Sequence, residues 1–552
     1  MRATAIAILG KGCAYPGALS PQELWENVLA GRRYFRRSPA ERLPDASYYD
    51  PDPDVIDKTY CNRMALLSGW TFNPTDWRIP PKTFEQCDIV QWVALSTAAA
   101  ALEDARIDFD RTDRSRVGVI IGNSGIGEFH RSHLLRNRWP FVERAVRRAV
   151  EQTCSGAQAD DLVDAIRHFY VSPFPEFRED HLAGNMANVI AGRIANYYDF
   201  RSASFTVDGA CASSLLAVID ACQYLACGDM DVALAGGVDV SLDPLEVIGF
   251  AKTQALARED IRPYDEGAEG MQPGEGCGMV VLSTEEYARR HGYRPQAVIK
   301  GWGVSSDGSG GITQPKVAGQ KSALKKAYAR AGYSMSTVGY IEGHGTGTPV
   351  GDRVEITALK EMLEESGPDG GVCRLGSIKA NVGHTKAAAG IAGLIKTTLI
   401  LQKKVIPPHV SCRTPNAAFG RPLERLRPSR GEAWISETPR RASVSAFGFG
   451  GANAHVTLQE VNPGDTPRQE DIDLLGSLQS SEVILLSGRS ERELMERAQS
   501  LLPVARRMCQ AELTDLSAAL SRERHECRYR AAIVTASPWQ FAEQLNLSLI
   551  HI

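Results

Sequence analysis

Short aliphatic runs that end in glycine recur along this 552-residue chain, separated by stretches with helical spacing. Ala-Ile-Ala-Ile-Leu-Gly at 5–10, Arg-Val-Gly-Val-Ile-Ile-Gly at 116–122 and the segment 232–237 are too short for ordinary helices and too uniformly apolar for strands with one wet face. Strands buried on both faces occur where helices cover both sides of a sheet, so the expected fold class is a layered α/β architecture. Strand-like segments recur near 297–303, 338–342, 373–378 and 441–446, with helical patterns at 318–332 and 386–402. A further helix near 21–30 is opened by Ser20 and Pro21. The order of elements points to two similar halves, although no residue-level repeat is visible.

Near Val461 the pattern breaks into Asn-Pro-Gly-Asp-Thr-Pro-Arg-Gln-Glu-Asp, a polar linker placed at 461–480. The expected domains are therefore 1–460, with halves of about 1–290 and 291–460, and a small α/β unit at 481–552. In that unit 482–486 and 529–535 read as strands, and Ser490 with Glu493 forms a capping box for a helix to about Met508. The final residues carry no terminating signal, so the chain is expected to be a piece of a longer polypeptide.

Formal net charge is −4 and charged residues make up 23% of the chain, which gives no reason to expect nucleic acid as a partner. The N-terminus lacks the pattern of a signal peptide and no run approaches ~18 consecutive apolar residues, so neither a membrane nor export is expected and the location is expected to be cytoplasmic. The twelve cysteines are scattered without a Cys-x-x-Cys pair and read as reduced thiols, with no metal site.

One cysteine stands apart. Cys211 lies in Phe-Thr-Val-Asp-Gly-Ala-Cys-Ala-Ser-Ser-Leu-Leu-Ala-Val (205–218), where a β-branched run ends in Gly-Ala and a small-residue, then aliphatic, helix pattern begins. Small neighbours permit a tight strand-to-helix turn that projects the sulfur, and the free N–H groups of a helix start stabilise a thiolate and an oxyanion. Two glycine-flanked histidines follow: His344 in Glu-Gly-His-Gly-Thr-Gly-Thr (342–348) and His384 in Lys-Ala-Asn-Val-Gly-His-Thr-Lys (379–386). A cysteine with separated histidine partners is the arrangement expected for covalent acyl transfer.

Val-Asp-Gly-Ala-Cys-Ala-Ser-Ser, Glu-Gly-His-Gly-Thr-Gly-Thr, Gly-Ser-Ile-Lys-Ala-Asn-Val-Gly-His-Thr (376–385) and Ser-Ala-Phe-Gly-Phe-Gly-Gly-Ala-Asn-Ala-His-Val (445–456) stand in the order found in β-ketoacyl synthases. The chain resembles the ketosynthase domain of type I polyketide synthases from about residue 3 to 460. Residues 480–545 look like the linker that joins such a domain to an acyltransferase.

The resemblance implies a thiolase-like fold, two stacked βαβαβ halves in a five-layer α/β sandwich, acting as a homodimer. It implies decarboxylative condensation of an acyl chain on Cys211 with a malonyl unit on an acyl carrier protein, with His344 and His384 completing the catalytic set. Further roles carried over are Lys379 as active-site support, with Glu355 as its carboxylate partner, and the N–H groups of Cys211 and Phe449 as oxyanion donors. Phe449 and Gly450 belong to a gating loop, and Thr346 and Thr348 match hydroxyls that bind phosphopantetheine. No cofactor is expected to bind here, because phosphopantetheine arrives on the carrier; an acyltransferase domain is expected downstream.

Departures from the modular pattern, such as Gly209 and Ala212 at the elbow and Gly-Phe-Gly-Gly in the loop, together with Gly-Phe-Ala-Lys-Thr (249–253), resemble the iterative enediyne-type synthases. Three other readings compete: a thiolase or hydroxymethylglutaryl-CoA synthase, a polyunsaturated-fatty-acid-type ketosynthase, and a silent dimerisation scaffold. The intact Cys211, His344, His384 and Lys379 favour the condensing enzyme over the first and the last. Elsewhere, His130 and His133 are expected on a solvated helix face, Arg131 to Arg148 as one amphipathic helix, and His455 as a packed strand histidine. Gly308, Gly310 and Gly311 lack the spacing of a phosphate loop.

Overall fold

The computed structural model describes residues 4–125, 127–240, 242–309, 311–367, 371–420, 425–475, 481–523 and 527–551; Gly310 lies outside them. Among the described residues, the first half contributes five strands to the main sheet: β1 (Ile6–Ala14), β2 (Val117–Gly122), β3 (Ser204–Val207), β4 (Val232–Asp239) and β5 (Gly276–Thr284). The second half holds β6 (Ala297–Ser306), β7 (Tyr340–Glu342), β8 (Cys373–Gly376), β9 (Leu426–Pro428), β10 (Arg441–Phe447) and β11 (Ala452–Gln459). Hydrogen bonding orders the first set β3-β2-β4-β5-β1 and the second β9-β8-β7-β10-β11-β6.

Apart from the added β9, both halves follow one spatial plan, third-second-fourth-fifth-first. The directions agree as well. β2 runs parallel to β3 and β4, and β5 is antiparallel to β4 and β1. Likewise β7 runs parallel to β8 and β10, and β11 is antiparallel to β10 and β6. The two sheets join only along Ile6–Ile8 of β1 and Ala297–Ile299 of β6. The duplication inferred from element order is thus present in the topology.

Helices make the remaining layers. α1 (Ile89–Ala105) and α2 (Asn188–Tyr198) cover the outer face of the first sheet, and α5 (Val317–Ala331) and α6 (Pro349–Glu365) cover that of the second. Between the sheets lie α3 (Ser213–Cys227) and α7 (Ala389–Lys403), packed on each other; α4 (Pro244–Lys252) sits beside the ends of the first sheet. That central position explains their composition. α7 is buried from Ala389 to Leu401, and the helix that begins at Ala210 is apolar enough over eighteen residues to span a membrane while 56% of it is buried inside the protein.

Strand β2 leads into a helical excursion, Glu128–Asn137, Trp139–Val150, Ala157–Val171 and His181–Asn185, before α2. The single amphipathic helix expected over Arg131 to Arg148 is therefore two, broken at Arg138 ahead of Pro140, which occupies the first turn of the second helix. His133 corrects a second expectation. It is 2% exposed, with its ring 4.0 Å from that of His181 and 4.7 Å from Phe129, so it packs rather than facing solvent. No metal-holding cluster occurs among the described residues.

The 461–475 segment contains a short helix, Gln469–Asp473, whose Asp471 accepts a 2.7 Å hydrogen bond from Trp25 Nε1. Beyond it, β12 (Glu482–Gly488) and β13 (Tyr529–Thr535) pair antiparallel and carry α8 (Glu491–Ala505), α9 (Gln510–Arg522) and α10 (Pro538–His551) around their own apolar core. Ser490 caps α8 by accepting from Glu493 N–H, while the Glu493 carboxylate reaches Arg489 N–H. This unit docks on the first half through Ala511 N–H to Arg33 O and the Arg32–Asp515 and Arg36–Glu512 pairs.

Candidate active site

The singled-out residues gather at the carboxyl ends of the strands, where α/β sheets place their reactive groups. Cys211 follows β3, His344 follows β7, Lys379 and His384 follow β8, and Phe449 follows β10; Asp239, which the sequence did not single out, ends β4. The elbow at Cys211 is a 3₁₀ turn, Ala210–Ala212, leading straight into α3. Ala210 has a left-handed φ of +51°, a conformation costing a non-glycine residue roughly 1–2 kcal/mol. Local bonds hold it there: Asp208 accepts from Ala210 N–H at 2.8 Å, and Ser213 Oγ bridges Gly209 N–H at 2.9 Å and Ala210 O at 2.6 Å.

The glycine loop after β10 presses onto this elbow. A Cβ on Gly448 would stand 2.1 Å from the Gly209 carbonyl oxygen, so only hydrogen permits the contact. The approach puts the Phe449 amide where it draws the Cys211 thiol downward. Phe449 itself is 54% exposed, which separates its ring from the core aromatics and leaves it at the mouth of the site. Gly450, with φ +104° and open space around it, forms the turn beyond.

The turn that carries Cys211 packs on the 3₁₀ turn Lys386–Ala388 and on α7, β10 and β11, which closes the two halves on each other. The rings of His344 and His384 lie 5.5 Å apart, edge to face. Each has its Nδ1 occupied by a main-chain donor: Phe447 N–H for His344 at 3.3 Å, Lys386 N–H for His384 at 3.1 Å. A neutral imidazole that accepts at Nδ1 carries its proton on Nε2, so both rings are donors at Nε2. Burial, with Lys379 adding repulsion, lowers both imidazoles well below their ordinary range, and they are neutral at pH 7.

Burial also pushes the Cys211 thiol up, to about 11, against the opposing pull of Lys379 and the Phe449 amide. Lys379 is 3% exposed and is the charge that Cys211, His344 and His384 all feel. Its expected ion pair with Glu355 is not made. Lys379 Nζ donates to the His344 carbonyl at 2.6 Å, and Glu342 and Glu355 act on it only through space.

Glu355 is engaged elsewhere. From α6 its carboxylate accepts from His344 N–H at 2.7 Å, Gly345 N–H at 2.8 Å and Tyr264 Oη at 2.9 Å. It therefore fixes the backbone on which the His344 ring stands, because two buried amides in that turn need an acceptor. Thr346 is buried and Thr348 half-buried, their hydroxyls 2.8 Å apart at the start of α6. Asp352, not singled out in the sequence, accepts from Tyr264 N–H and from Gly347 N–H at 3.1 Å, and burial raises it to about 7. A carboxylate in the first turn after Pro349 was the available clue. Glu342, in the strand just before His344, pairs with Lys396 of α7 at 2.8 Å, both nearly fully buried.

Family comparisons agree with this geometry. Residues 3–288 match the β-ketoacyl synthase N-terminal domain, 296–413 the C-terminal domain and 424–534 the ketoacyl-synthetase C-terminal extension. A polyunsaturated fatty acid synthase from a Thraustochytrium species is 33% identical over 94% of this chain, and polyketide synthase GfsA of Streptomyces halstedii is 33% identical over 98%. The chain spans only 18% and 7% of those two proteins. Among solved structures, the oxazolomycin ketosynthase domain OzmH KS7 of Streptomyces albus is similar at a TM-score of 0.71, with 29% identity over 99% of this chain and 88% of that one. The ketosynthase from module 6 of the Bacillus subtilis bacillaene synthase is similar at 0.70, with 27% identity and coverages of 99% and 85%. With the thiolase-like two-half fold and these matches across nearly its whole length, the chain belongs to the β-ketoacyl synthase family.

Proposed function

We propose that this domain condenses an acyl group held as a thioester on Cys211 with a malonyl unit borne on an acyl carrier protein, losing carbon dioxide. The observation that carries the reading is the pair of neutral imidazoles, His344 half-buried and His384 buried, 5.5 Å apart, both presenting Nε2–H and both in the field of the Lys379 ammonium that also acts on Cys211.

In the loading step the Cys211 sulfur attacks the carbonyl of an acyl-phosphopantetheine thioester. The oxyanion that forms is held by Cys211 N–H and Phe449 N–H. Collapse breaks the carbon–sulfur bond to pantetheine. Both imidazoles have Nδ1 occupied and Nε2 protonated, so neither is a resting base; the thiol proton ends on the departing pantetheine sulfur. With the thiol near 11, the thiolate fraction at pH 7 is about one in ten thousand, and stabilisation of the charge as it develops matters more than its resting population.

In the second step the malonyl thioester carbonyl accepts from His344 Nε2–H and His384 Nε2–H. The bond to the carboxylate breaks, carbon dioxide leaves, and the electron pair enters an enolate held by those two donors. Its carbon attacks the acyl-Cys211 carbonyl through the same oxyanion site, a carbon–carbon bond forms, and the Cys211 sulfur departs. The β-ketoacyl product remains on the carrier. Thr346 and Thr348 take the phosphopantetheine arm, and Phe449 and Gly450 gate its entry.

The domain works, in this reading, as a homodimer with an acyltransferase domain further along the same polypeptide. β3 supports the dimer: it is the end strand of the sheet, pairs with β2 alone among the described strands, and so presents an unpaired row of backbone groups. Similarity to a polyunsaturated fatty acid synthase favours a second product class, polyunsaturated fatty chains, over an enediyne-type polyene.

The test is incubation with acyl and malonyl carrier proteins, followed by intact-protein mass spectrometry and product analysis, with sedimentation of the same sample. The expected outcome is a chain that gains one acyl group by intact mass, sediments at twice its 60.1 kDa monomer mass and yields a β-ketoacyl carrier. C211A should take no acyl group, and H384A should acylate but not decarboxylate. Acylation of C211A at another residue, or undiminished product from H384A, would overturn the assignment.

A further inference from the structure

Lys386 is 4% exposed, stands two residues beyond His384, and takes no part in the reaction just described. Its ammonium is held by two carboxylates, Asp239 Oδ1 at 2.6 Å and Glu246 Oε2 at 2.8 Å. Asp239 ends β4 and Glu246 lies in the first turn of α4. The second oxygen of Asp239 accepts from Ala387 N–H at 3.2 Å, so one carboxylate grips both the side chain and the main chain of the Lys386–Ala388 turn.

That turn begins under strain. Lys386 has a φ of +47°, which glycine or asparagine would adopt far more readily than lysine. In this conformation its N–H points at His384 Nδ1, 3.1 Å away. The rest of His384 is tied down separately: its N–H donates to Gln272 O and its carbonyl accepts from Gly274 N–H. The ring's tautomer therefore depends on the orientation of a single amide, and that amide belongs to the residue whose side chain the two carboxylates clamp.

We propose that Lys386, clamped by Asp239 and Glu246, is a positioning residue for His384: it holds its own backbone left-handed so that its N–H keeps Nδ1 unprotonated and Nε2–H aimed at the malonyl carbonyl. This rests on the decarboxylative role of His384 given above. A buried ion cluster kept for stability alone would be a poor device, because well-packed apolar groups often serve as well or better. Here the cluster secures a strained turn next to a reacting ring.

The experiment compares K386M and K386R with the unaltered full chain by nitrogen-15 NMR of labelled histidine, the His384 signals being identified by their loss in H384A. The unaltered protein and K386R should show a single Nε2–H tautomer, and K386M a mixture. Malonyl decarboxylation by K386M should fall about tenfold in kcat, with KM for the malonyl carrier and the rate of Cys211 acylation held within about twofold, and K386R should restore it. A single Nε2–H tautomer in K386M, or equal losses of acylation and decarboxylation, would overturn the proposal. Should the unaltered chain fail to decarboxylate, the reaction reading falls, while the tautomer measurement still decides the positioning role. If K386M does not fold, D239N removes the shared acceptor charge at constant size and should give the same mixture and the same kinetic split.

Discussion

Gly448→Ala isolates the contact between the two halves of the oxyanion site. The added Cβ would lie 2.1 Å from the Gly209 carbonyl oxygen and 3.2 Å from its carbon. Carbon and carbonyl oxygen settle at roughly 3.3 Å or more, so the loop and the elbow must part by about 1 Å. Both partners are main chain, and no flexible side chain can give way. The displaced segment leads directly into Phe449, whose amide acts on the Cys211 thiol and is the second oxyanion donor of the proposed reaction. A shift of that size takes the donor out of hydrogen-bonding range, and losing one oxyanion donor typically costs about 10²–10³ in rate, or roughly 3–4 kcal/mol. Single-turnover acylation of Cys211 by an acyl-pantetheine thioester, followed by intact mass, should therefore slow about 100-fold. A folded G448A protein that acylates within about threefold of the parent would refute the geometry of the site and the role given to Phe449.

Two further outcomes follow from the electrostatics. Lys379→Met removes the charge that most opposes the upward shift of the Cys211 thiol, so the pH dependence of Cys211 alkylation by iodoacetamide should move to higher pH; an unchanged or lower midpoint would contradict the role of Lys379. His409 and His455 are buried, with burial lowering them to about 4 and about 3. Their unfolded forms bind protons near pH 6.5 while the folded forms do not, so this stability is complete above pH 6.5 and lost as pH falls toward the folded values. At pH 5 each histidine costs about 2 kcal/mol, and H455Q should flatten the decline of thermal stability between pH 7 and 5; an unaltered slope would rule the contribution out.

Much of this architecture was legible because local patterns were strong. The uniformly apolar β2 and β4 gave away a sheet covered on both faces, and Gly-Ala-Cys-Ala-Ser-Ser marked a turn into a helix before any coordinates. The gathering of Cys211, His344, His384 and the glycine loop was legible for a similar reason: glycines and histidines in short motifs report local geometry. Partnerships across the chain were not. Nothing near Lys379 tells that its ammonium reaches the His344 carbonyl instead of Glu355, since Glu355 is claimed by two amides of a turn eleven residues earlier. Lys386, Asp239 and Glu246 lie up to 147 residues apart, and only closure of the halves brings them together. His133 misled because its polar helix neighbours suggested solvent, while the aromatic surroundings that bury it come from Phe177 and His181 in a later helix and its approach.

The raised thiol and the depressed imidazoles look unfavourable for a nucleophile, yet together they fit a site arranged for charge that appears only during reaction. An imidazolium beside Cys211 would ionise the resting thiol, and a standing ion pair would have to be disrupted when the acyl carbonyl arrives. Kept neutral, the two rings offer Nε2–H groups whose dipoles are fixed in advance, and such preorganised donors stabilise an enolate more than water, which must first reorient, could. Lys379 then supplies a single permanent positive charge near the centre, and its buried position is sustained by Glu342 and Glu355 acting at a distance. Direct contact with either carboxylate would neutralise that field where it is needed. The observed hydrogen bond to the His344 carbonyl satisfies the ammonium without cancelling its charge, which is why the absent Lys379–Glu355 pair is consistent with catalysis rather than a defect of the site.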